Sequence, residues 1–380
     1  MINTTTHITL NITTRILIAG GGTGGHIYPA IAIANAIKEL APDTQFLFVG
    51  AKGKMEMDKV PQAGYNIKGI TIAGFNRSNL FKNIGLPYKL IVSFFQVKKI
   101  LKHYKPHAVI GVGGYSTLPV LKYAQLLGVP TFVHESNSLP GKANIIIGKQ
   151  AKAVFVAYNN MQKYFGNAKL INSGNPVRAS IVNNTITRRE AATFFGLNAD
   201  AAIVLSVGGS LGATSINKAV LEGITALQQA GVQLIWQTGL GFFTTAKQAT
   251  DDKIGVVALA FIQQMEQAYA AADVVISRAG AMAIAELATL AKPSILVPYP
   301  YAAENHQYIN ASYLVQQNAA ILIPDSEVGT QLINTTINLL NNKSEQQKLS
   351  NNLSKQATKQ AAYTVANYIL DYLHTNNNTH

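Results

Sequence analysis

The stretch Ile18-Ala-Gly-Gly-Gly-Thr-Gly-Gly-His-Ile-Tyr-Pro29 joins an apolar strand, residues 15–19, to a helix through a glycine-rich turn. The helix that follows repeats apolar residues at helical spacing, at Ile33, Ile37 and Leu40. Glycines at a helix N-terminus leave backbone N–H groups uncovered, which suits a phosphate. His26 stands at the edge of this turn. The stretch therefore predicts a Rossmann-like unit that acts on a nucleotide or a diphosphate.

A dinucleotide site is the first alternative, because Gly20, Gly22 and Gly25 satisfy the loose G-x-G-x-x-G pattern. In an NAD site, an acidic residue at the end of the second strand binds the ribose. Here the second strand, residues 45–50, continues into Ala51-Lys-Gly-Lys54 without a carboxylate. NADP tolerates that arrangement, so the loop alone leaves an oxidoreductase open.

Composition sets the class of protein. The chain has 380 residues, 48% of them hydrophobic, with 30 Gly and no Cys. This length is sufficient for two domains, and the absence of cysteine excludes disulfides and thiolate metal sites. Residues 1–14 lack the basic and apolar regions of a signal peptide, and no apolar run reaches the roughly 20 residues of a membrane span. We expect a cytoplasmic enzyme that does not cross a bilayer.

Charge is distributed unevenly along the chain. The formal net charge is +13, and between Asp58 and Glu190 the only carboxylate is Glu135. Most acidic residues lie in the second half. This asymmetry indicates that the first half faces an anionic surface, although a merely solvated basic face remains an alternative.

Short apolar strands alternate with helical segments throughout the chain. Continuous apolar strands with helical crossovers are typical of parallel sheets covered on both faces. We predict two Rossmann-like doubly wound α/β domains facing across a cleft: residues 1–176, with a C-terminal helix at about 358–380 packing back on them, and residues 177–357. Residues 344–373 read as helix. The predicted strands are 15–19, 45–49, 108–112, 131–134 and 153–157 in the first domain, and 202–207, 233–237, 255–259, 273–277 and 294–297 in the second.

Further motifs follow these strands at the ends where such folds bind ligands. Each has a structural alternative: a tight turn for the glycines, a salt-bridge partner for Glu135, and a solvated helix face for Glu286. A carboxylate such as Glu286 also suits ribose hydroxyls, and amides such as Asn137 suit those of a sugar. The motifs are Gly111-Val-Gly-Gly-Tyr-Ser-Thr-Leu-Pro119, His134-Glu-Ser-Asn137, Gly208-Gly-Ser-Leu-Gly212, Ser277-Arg-Ala-Gly-Ala-Met-Ala-Ile-Ala-Glu286 and Pro298 to Gln307.

The ordered set resembles the MurG family, the bacterial N-acetylglucosaminyltransferases of peptidoglycan synthesis. The resemblance extends from Arg15 to about Asp325. Alone, each motif is weak, but the order is specific. It is carried by Gly21-Gly-Thr-Gly-Gly-His26, His134-Glu-Ser-Asn137, Gly174-Asn-Pro-Val-Arg178, Gly208-Gly-Ser-Leu-Gly-Ala213, Arg278-Ala-Gly-Ala281 through Glu286, and Asn305-His-Gln307.

The resemblance implies a GT-B fold and inverting transfer of GlcNAc from UDP-GlcNAc to the C4 hydroxyl of MurNAc in undecaprenyl-pyrophosphoryl-MurNAc-pentapeptide (lipid I), giving lipid II. It implies that His26 is the general base, with Glu135 as the alternative or its supporter, and that Gly113, Gly114 and Tyr115 bind the acceptor. Neither a metal nor a cofactor is expected. The implied donor residues are Ile262 at uracil, Glu286 at ribose, Ser210, Arg178, Ala281, Met282 and Ala283 at the diphosphate, Ile284 and Ala285 beside them, Gln307 and Asn137 at GlcNAc, and Thr23, Gly24 and Gly25 from the opposite domain.

The segment from Phe75 to His107 contains no acid and mixes apolar with basic residues, which suits peripheral attachment to anionic lipid. Packing of the same apolar residues onto the sheet is the alternative. We expect a protein on the cytoplasmic face of the bacterial membrane, with cell-wall synthesis proteins as candidate partners and no nucleic acid. Other functions left open are a GT-B transferase with another lipid acceptor, a UDP-GlcNAc epimerase and a non-catalytic sugar-nucleotide-binding protein. The segment's residues are Leu80, Phe81, Ile84, Leu86, Leu90, Phe94 and Phe95, with Arg77, Lys82, Lys89, Lys98, Lys99, Lys102 and Lys105.

Overall fold

A computed structural model describes residues 13–74, 84–302 and 305–377. The chain divides into two compact units. The first runs to Arg178 and includes the C-terminal segment from Thr358, and the second is Ala179–Ala357. Arg77, Leu80, Phe81 and Lys82 of the basic segment lie outside the described residues.

The first unit is built on a parallel sheet with the strand order β3-β2-β1-β4-β5-β6-β7. Helices lie between successive strands, as parallel connections require. The strands are β1 Arg15–Ala19, β2 Gln45–Ala51, β3 Ile67–Ile70, β4 Ala108–Gly111, β5 Thr131–Glu135, β6 Ala153–Val156 and β7 Leu170–Asn172. The helices are α1 Gly24–Leu40, α2 Glu56–Gln62, α3 Leu86–Tyr104, α4 Thr117–Leu126, α5 Lys142–Gly148 and α6 Gln162–Phe165.

The second unit repeats this plan, with the order β10-β9-β8-β11-β12-β13. Its strands are β8 Ala202–Val207, β9 Val232–Gln237, β10 Val256–Leu259, β11 Val274–Ser277, β12 Ser294–Leu296 and β13 Ile321–Leu322. Its helices are α7 Ala179–Val182, α8 Arg188–Phe194, α9 Thr214–Gln229, α10 Leu240–Thr250, α11 Met265–Ala271, α12 Ala281–Thr289, α13 His306–Gln316, α14 Val328–Asn341 and α15 Lys343–Ser354, with a short 3₁₀ helix at Asp325–Glu327.

Each sheet reverses its strand order between its first and fourth strands, at β1 and β4 in the first unit and at β8 and β11 in the second. Ligands of doubly wound folds bind outside the carboxyl ends of the strands at this point. The glycine turns after β1 and β8 are therefore at the ligand-binding edge of their own sheets. The predicted fold class, α/β with two Rossmann-like doubly wound units, is confirmed.

Three short strands are missing from the sequence-based prediction: β3, β7 and β13. Two of them, β3 and β7, are the edge strands of the first sheet, and β13 is an edge strand of the second. An edge strand needs fewer apolar residues than a central one, because it has one neighbour and lies partly in solvent. The sequence of β3, Ile67-Lys-Gly-Ile70, shows this weakening of the pattern.

Residues 344–373, predicted as helical, form two helices: α15 ends at Ser354, and α16, Ala361–Asn377, begins seven residues later. The apolar spacing continues through both helices, but the helices serve different cores. Leu349 of α15 belongs to the core of the second unit, together with β8 and α9. The residues of α16 that pack into the core of the first unit with α1 are Val365, Ala366, Ile369, Leu370 and Leu373. No helix among the described residues is long and apolar enough to span a membrane.

Candidate active site

The glycine turn after β1 packs directly against the turn after β4. Gly21 N–H donates to the Gly113 carbonyl at 3.3 Å. A Cβ atom on Gly114 would overlap the Gly21 carbonyl oxygen, and both Gly113 and Gly114 have positive φ, +99° and +90°. Only glycine allows such backbone-to-backbone contact in this conformation. The two glycine motifs of the first unit thus form one surface.

His26 lies on that surface, in the first turn of α1. A Cβ atom on Gly113 would be 2.6 Å from His26 Cδ2, so the glycine makes room for the imidazole. His26 Nδ1 is 3.1 Å from the Gly21 carbonyl oxygen and 3.5 Å from Thr23 Oγ1. A carbonyl only accepts, so Nδ1 carries the proton of the neutral ring and Nε2 carries the lone pair. This tautomer suits a general base.

His134 is completely buried at the end of β5 and lies within electrostatic range of His26. Burial lowers the pKa of His134 to about 4, and the charge of His26 lowers this pKa further, against the hydrogen bond to the Gly174 carbonyl at 3.1 Å. Nε2 donates that hydrogen bond as a neutral imidazole. His134 therefore has a structural role: its hydrogen bond connects the backbone at Gly174 to the end of β5.

Stability of the first unit is expected to fall as the pH is lowered from about 6.5 to 4. In that window the unfolded His134 binds a proton and the folded one does not, which corresponds to a loss of about 3 kcal/mol at the acid end. In His134→Gln this contribution disappears while a donor to the Gly174 carbonyl remains. Calorimetric unfolding of both proteins at several pH values measures the difference. Identical pH dependence in the two proteins would contradict the assignment.

Glu135 follows His134 and is also buried. Its Oε1 accepts from the backbone N–H of Asn137 at 2.9 Å and from Asn137 Nδ2 at 3.2 Å. Its Oε2 accepts from Gly141 N–H at 3.0 Å and from Asn144 Nδ2 at 2.9 Å. The carboxylate therefore organises the loop after β5, and Asn137 lies beside it as part of that network.

Arg178 and Tyr115 complete the first unit's candidate residues. The Arg178 guanidinium lies over the Tyr28 ring, 4.4 Å from its centroid, so α1 orients this cation. Tyr115 is half exposed, and its ring covers Gly74, where a Cβ atom would overlap it.

In the second unit, the glycine turn after β8 packs on the turn after β9. A Cβ atom on Gly212 would overlap the Thr238 carbonyl oxygen, and one on Gly239 would overlap the Leu211 carbonyl. Ser210 lies between these contacts, partly exposed at the start of the path to α9. Backbone therefore packs closely on backbone at both ends of this turn.

Gly212→Ala is expected to destabilise the second unit by about 3 kcal/mol or more, because positive φ and backbone overlap both act against a Cβ atom. Gly209→Ala is the matched control. Gly209 has φ +84°, but a Cβ atom added there would meet no other atom within 4 Å, so about 1–2 kcal/mol is expected. Trp236, the only tryptophan, lies in β9 and reports urea unfolding of this unit by fluorescence. Equal losses in the two variants would rule out the overlap.

Gln237, at the end of β9, is a residue that the sequence analysis missed. Its Nε2 donates to the Gly209 carbonyl at 2.9 Å, and its Oε1 accepts from Ile262 N–H at 2.9 Å. The side chain thus ties the glycine turn to the loop after β10. No sequence signal marks it, because a glutamine at a strand end is unremarkable. The Ile262 N–H is therefore already bonded within the second unit.

Glu286 lies in the second turn of α12, as predicted from its spacing, and is buried. Tyr269 of α11 donates its hydroxyl proton to Glu286 Oε2 at 3.1 Å. The helix begins after Gly280 without a side-chain cap, so its first N–H groups suit an anion. At this helix start, Ala281, Met282 and Ile284 are buried, whereas Ala283 and Ala285 are partly exposed.

Gln307 is the second residue of α13, and its Oε1 accepts from Tyr299 N–H at 3.0 Å. Its amide nitrogen is thereby oriented away from Tyr299. Arg278 pairs with Asp325 at 2.5 Å and donates to Ser215 Oγ at 3.0 Å, which joins the segment after β11 to the 3₁₀ helix and to the start of α9. Arg278 is therefore a structural member of the motif that contains Glu286.

The structure brings His26, Thr23, Gly113 and Gly114 together in the first unit, with Glu135 at the end of β5 and Asn137 on the loop that follows it. In the second unit, Ser210 and Ile262 lie in loops, and Glu286 and Gln307 lie in the first two turns of α12 and α13. Each of these segments follows a strand of the same sheet. Across residues 13–74, 84–302 and 305–377, no cluster of three or more His, Cys, Asp or Glu side chains that could hold a metal is found. Fold and site together define a protein of two α/β units, each with paired glycine turns at the carboxyl edge of its own sheet.

Comparison with known proteins identifies the family. Residues 16–156 match the glycosyltransferase family 28 N-terminal domain, and residues 203–365 match the family 28 C-terminal domain. The chain therefore belongs to glycosyltransferase family 28.

Curated relatives extend the match over nearly the whole chain. It is 46% identical over 355 residues to a Phocaeicola vulgatus protein, covering 93% of this chain and 94% of that one. It is 44% identical to a Cytophaga hutchinsonii protein, covering 95% and 97%. Both are named UDP-N-acetylglucosamine–N-acetylmuramyl-(pentapeptide) pyrophosphoryl-undecaprenol N-acetylglucosamine transferase.

Solved structures show the same architecture. Acinetobacter baumannii MurG matches with a TM-score of 0.68 at 26% identity, covering 95% of this chain and 99% of that one. A Staphylococcus aureus MnaA–UDP structure matches with a TM-score of 0.68 at 11% identity, covering 95% and 97%, and this likeness shows the fold alone.

Proposed function

We propose that this protein transfers GlcNAc from UDP-GlcNAc to the C4 hydroxyl of MurNAc in lipid I, with inversion, to give lipid II. The observation that carries the proposal is the match, at 46% identity over 93% of this chain, to a protein named for this transfer. The local geometry of each unit supports it, as follows.

The second unit binds the donor. Glu286 accepts hydrogen bonds from the ribose hydroxyls, and the carbonyl of Ile262 contacts uracil. The N-terminal turns of α9 and α12, with Ser210, bind the diphosphate through backbone N–H groups, because helix N-termini favour anions. Gln307 donates its amide protons to GlcNAc. In support, Gln237 and Tyr269 already hold the Ile262 loop and Glu286 in place.

The first unit provides the base. His26 Nε2 removes the proton of the MurNAc C4 hydroxyl, and the oxygen attacks the anomeric carbon of GlcNAc from the face opposite UDP. The bond between that carbon and the diphosphate oxygen breaks, and UDP leaves with the electron pair. Arg178 stabilises the charge that develops on the diphosphate. The hydrogen bond from Nδ1 to the Gly21 carbonyl supports this assignment, because it fixes the reactive tautomer.

Glu135 is better suited to support the site than to act as its base. Both of its oxygens accept two hydrogen bonds each. Protonation of the carboxylate would break part of this network, whereas His26 takes a proton on Nε2 without losing its bond to Gly21. In this proposal Glu135 orients Asn137 toward the sugar, and Gly113, Gly114 and Tyr115 contact the acceptor.

The exposed face of α3 is the proposed membrane contact. This helix buries only Ser93, Val97 and Leu101 and leaves Phe95 68% exposed and Ile91 58% exposed. A groove of about 340 Å³ lies on this face. It is lined by Ile91, Phe94, Phe95 and Lys98 of α3 and by Tyr123 of α4. Exposed apolar side chains among lysines suit the surface of an anionic bilayer, which is consistent with a peripheral protein at the cytoplasmic face.

Vesicle co-sedimentation tests this contact. Removing two lysines, in Lys98→Ala/Lys99→Ala, is expected to weaken binding to anionic vesicles about 30-fold, from about 1 kcal/mol for each basic residue. Phe95→Glu is expected to weaken binding to neutral vesicles through the lost apolar contact, and to weaken binding to anionic vesicles more, because it also adds a negative charge. Ile254→Glu, at an exposed isoleucine of the second unit, is the control and should bind normally. Binding that does not depend on the fraction of anionic lipid would refute the electrostatic contribution to the proposed membrane contact.

Transfer of radiolabelled GlcNAc from UDP-GlcNAc to a short-chain lipid I analogue, in the presence of EDTA, tests the proposed reaction. A product with a β1→4 linkage supports donor, acceptor and inversion together. UDP-GlcNAc binding without this product would refute the acceptor and direct the search to another lipid. Release of free UDP-sugar epimer would refute transfer itself.

A further inference from the structure

Glu56 is a buried carboxylate beneath the first glycine turn. It is the first residue of α2 and is 1% exposed. Its Oε2 accepts from Gly22 N–H at 2.8 Å, and its Oε1 accepts from Ala51 N–H at 2.9 Å. Each oxygen therefore binds a backbone amide, one in the turn that leads to His26 and one at the end of β2.

The backbone encloses this side chain tightly. A Cβ atom on Gly21 would overlap the Glu56 carboxyl group, and one on Gly50 would overlap Glu56 Cγ. Two glycines thus make room for the carboxylate. A buried charge persists where hydrogen bonds compensate its lost hydration, and the two amides provide them. The Glu56 carboxylate is therefore an integral part of the folded turn.

The position of the Glu56 carboxylate affects whether the first glycine turn can bind a phosphate. A phosphate bound at this turn would need amides such as Gly22 N–H, which is already bonded to Glu56. The negative charge of Glu56 also repels a phosphate in the same place. The turn is consequently better suited to holding its own side chains than to cradling a diphosphate through Gly22.

We propose that Glu56 is a positioning residue for His26. By fixing Gly22 on one side, it sets the direction of the Gly21 carbonyl, which accepts from His26 Nδ1 and so selects the reactive tautomer. This inference rests on the proposed role of His26 as the general base. The two hydrogen bonds of the Glu56 carboxylate connect β2, α2 and the first glycine turn, and we call this connection the Glu56 brace.

Glu56→Gln tests the brace, because glutamine has one acceptor and one donor where two N–H groups need acceptors. We expect kcat to fall about 10–100-fold, since small misplacements of a catalytic group have effects of this size. The KM for UDP-GlcNAc should stay within about twofold, because the proposed contacts with uracil and ribose, at Ile262 and Glu286, lie in the second unit. Asp58→Asn, which removes an exposed carboxylate from the same helix, is the control and should retain the parent activity.

A double-mutant cycle separates positioning from general damage. If Glu56 acts through His26, Glu56→Gln causes no further loss of kcat in a His26→Ala background. A loss that multiplies in the double mutant, or unchanged kcat in Glu56→Gln alone, would overturn the proposal.

Amide hydrogen exchange at Gly22, followed by NMR without any substrate, tests the brace independently of activity. Faster exchange in Glu56→Gln than in the parent and in Asp58→Asn is expected. Equal exchange in all three proteins would show that Glu56 does not hold the turn. A parent protein that lacks transferase activity but loses Gly22 protection in Glu56→Gln would overturn the proposed function and leave the brace in place.

Discussion

His26→Ala is expected to reduce kcat for GlcNAc transfer by about 10²–10⁴-fold, the usual contribution of a general base. The affinity for UDP-GlcNAc should remain near that of the parent, because the proposed contacts with uracil and ribose, at Ile262 and Glu286, lie in the second unit. Steady-state kinetics with a soluble lipid I analogue and calorimetric titration with UDP-GlcNAc measure the two quantities separately.

His374→Ala provides the control for this experiment, since His374 is exposed on α16. It should match the parent in both measurements. Equal turnover in His26→Ala and the parent would remove His26 from the mechanism and return Glu135 to consideration.

Glu286→Gln is expected to raise the KM for UDP-GlcNAc by about 10–100-fold, because charge-assisted hydrogen bonds contribute about 1.5–3 kcal/mol. The ribose is remote from the bond that breaks, so its contact stabilises ground state and transition state alike, and kcat should change only a few-fold. Initial rates over a range of UDP-GlcNAc concentrations give both constants.

Two further variants test whether the higher KM of Glu286→Gln comes from a lost contact with the ribose. Tyr269→Phe removes the hydrogen bond to Glu286 Oε2 but keeps the carboxylate, so its KM should rise less than that of Glu286→Gln. Glu222→Gln changes an exposed carboxylate on α9 and should behave as the parent does. If Tyr269→Phe raised the KM as much as Glu286→Gln, Glu286 would act by holding α11 rather than by binding ribose.

The central architecture was predictable from the sequence because local pattern and global fold agree there. The strands β1 and β8 have the predicted bounds, and both run directly into a glycine turn and a helix. Central strands of a parallel sheet are buried on both faces, so their sequences are continuously apolar and easy to recognise. Edge strands such as β3 lack this constraint, which explains why they were missed.

The candidate site was predictable only to the level of residue type and strand end. Glu286 follows β11 at helical spacing, and its place in the second turn of α12 follows from the sequence alone. That Gln307 and Ile262 already use part of their hydrogen-bonding capacity within the protein was not predictable, because their partners lie on other elements.

The sequence by itself determined the two doubly wound units and the family, because apolar runs, glycine turns and ordered motifs are local features. Tertiary structure decided which groups hold the site in shape. Glu56 reaches Gly22 across 34 positions, and Gln237 reaches Ile262 across 25. The second strand is followed by no adjacent acid, yet the fold returns a carboxylate from α2 to the first turn. Such hydrogen bonds depend on the path of the backbone between strands, and no residue pattern at either end encodes that path.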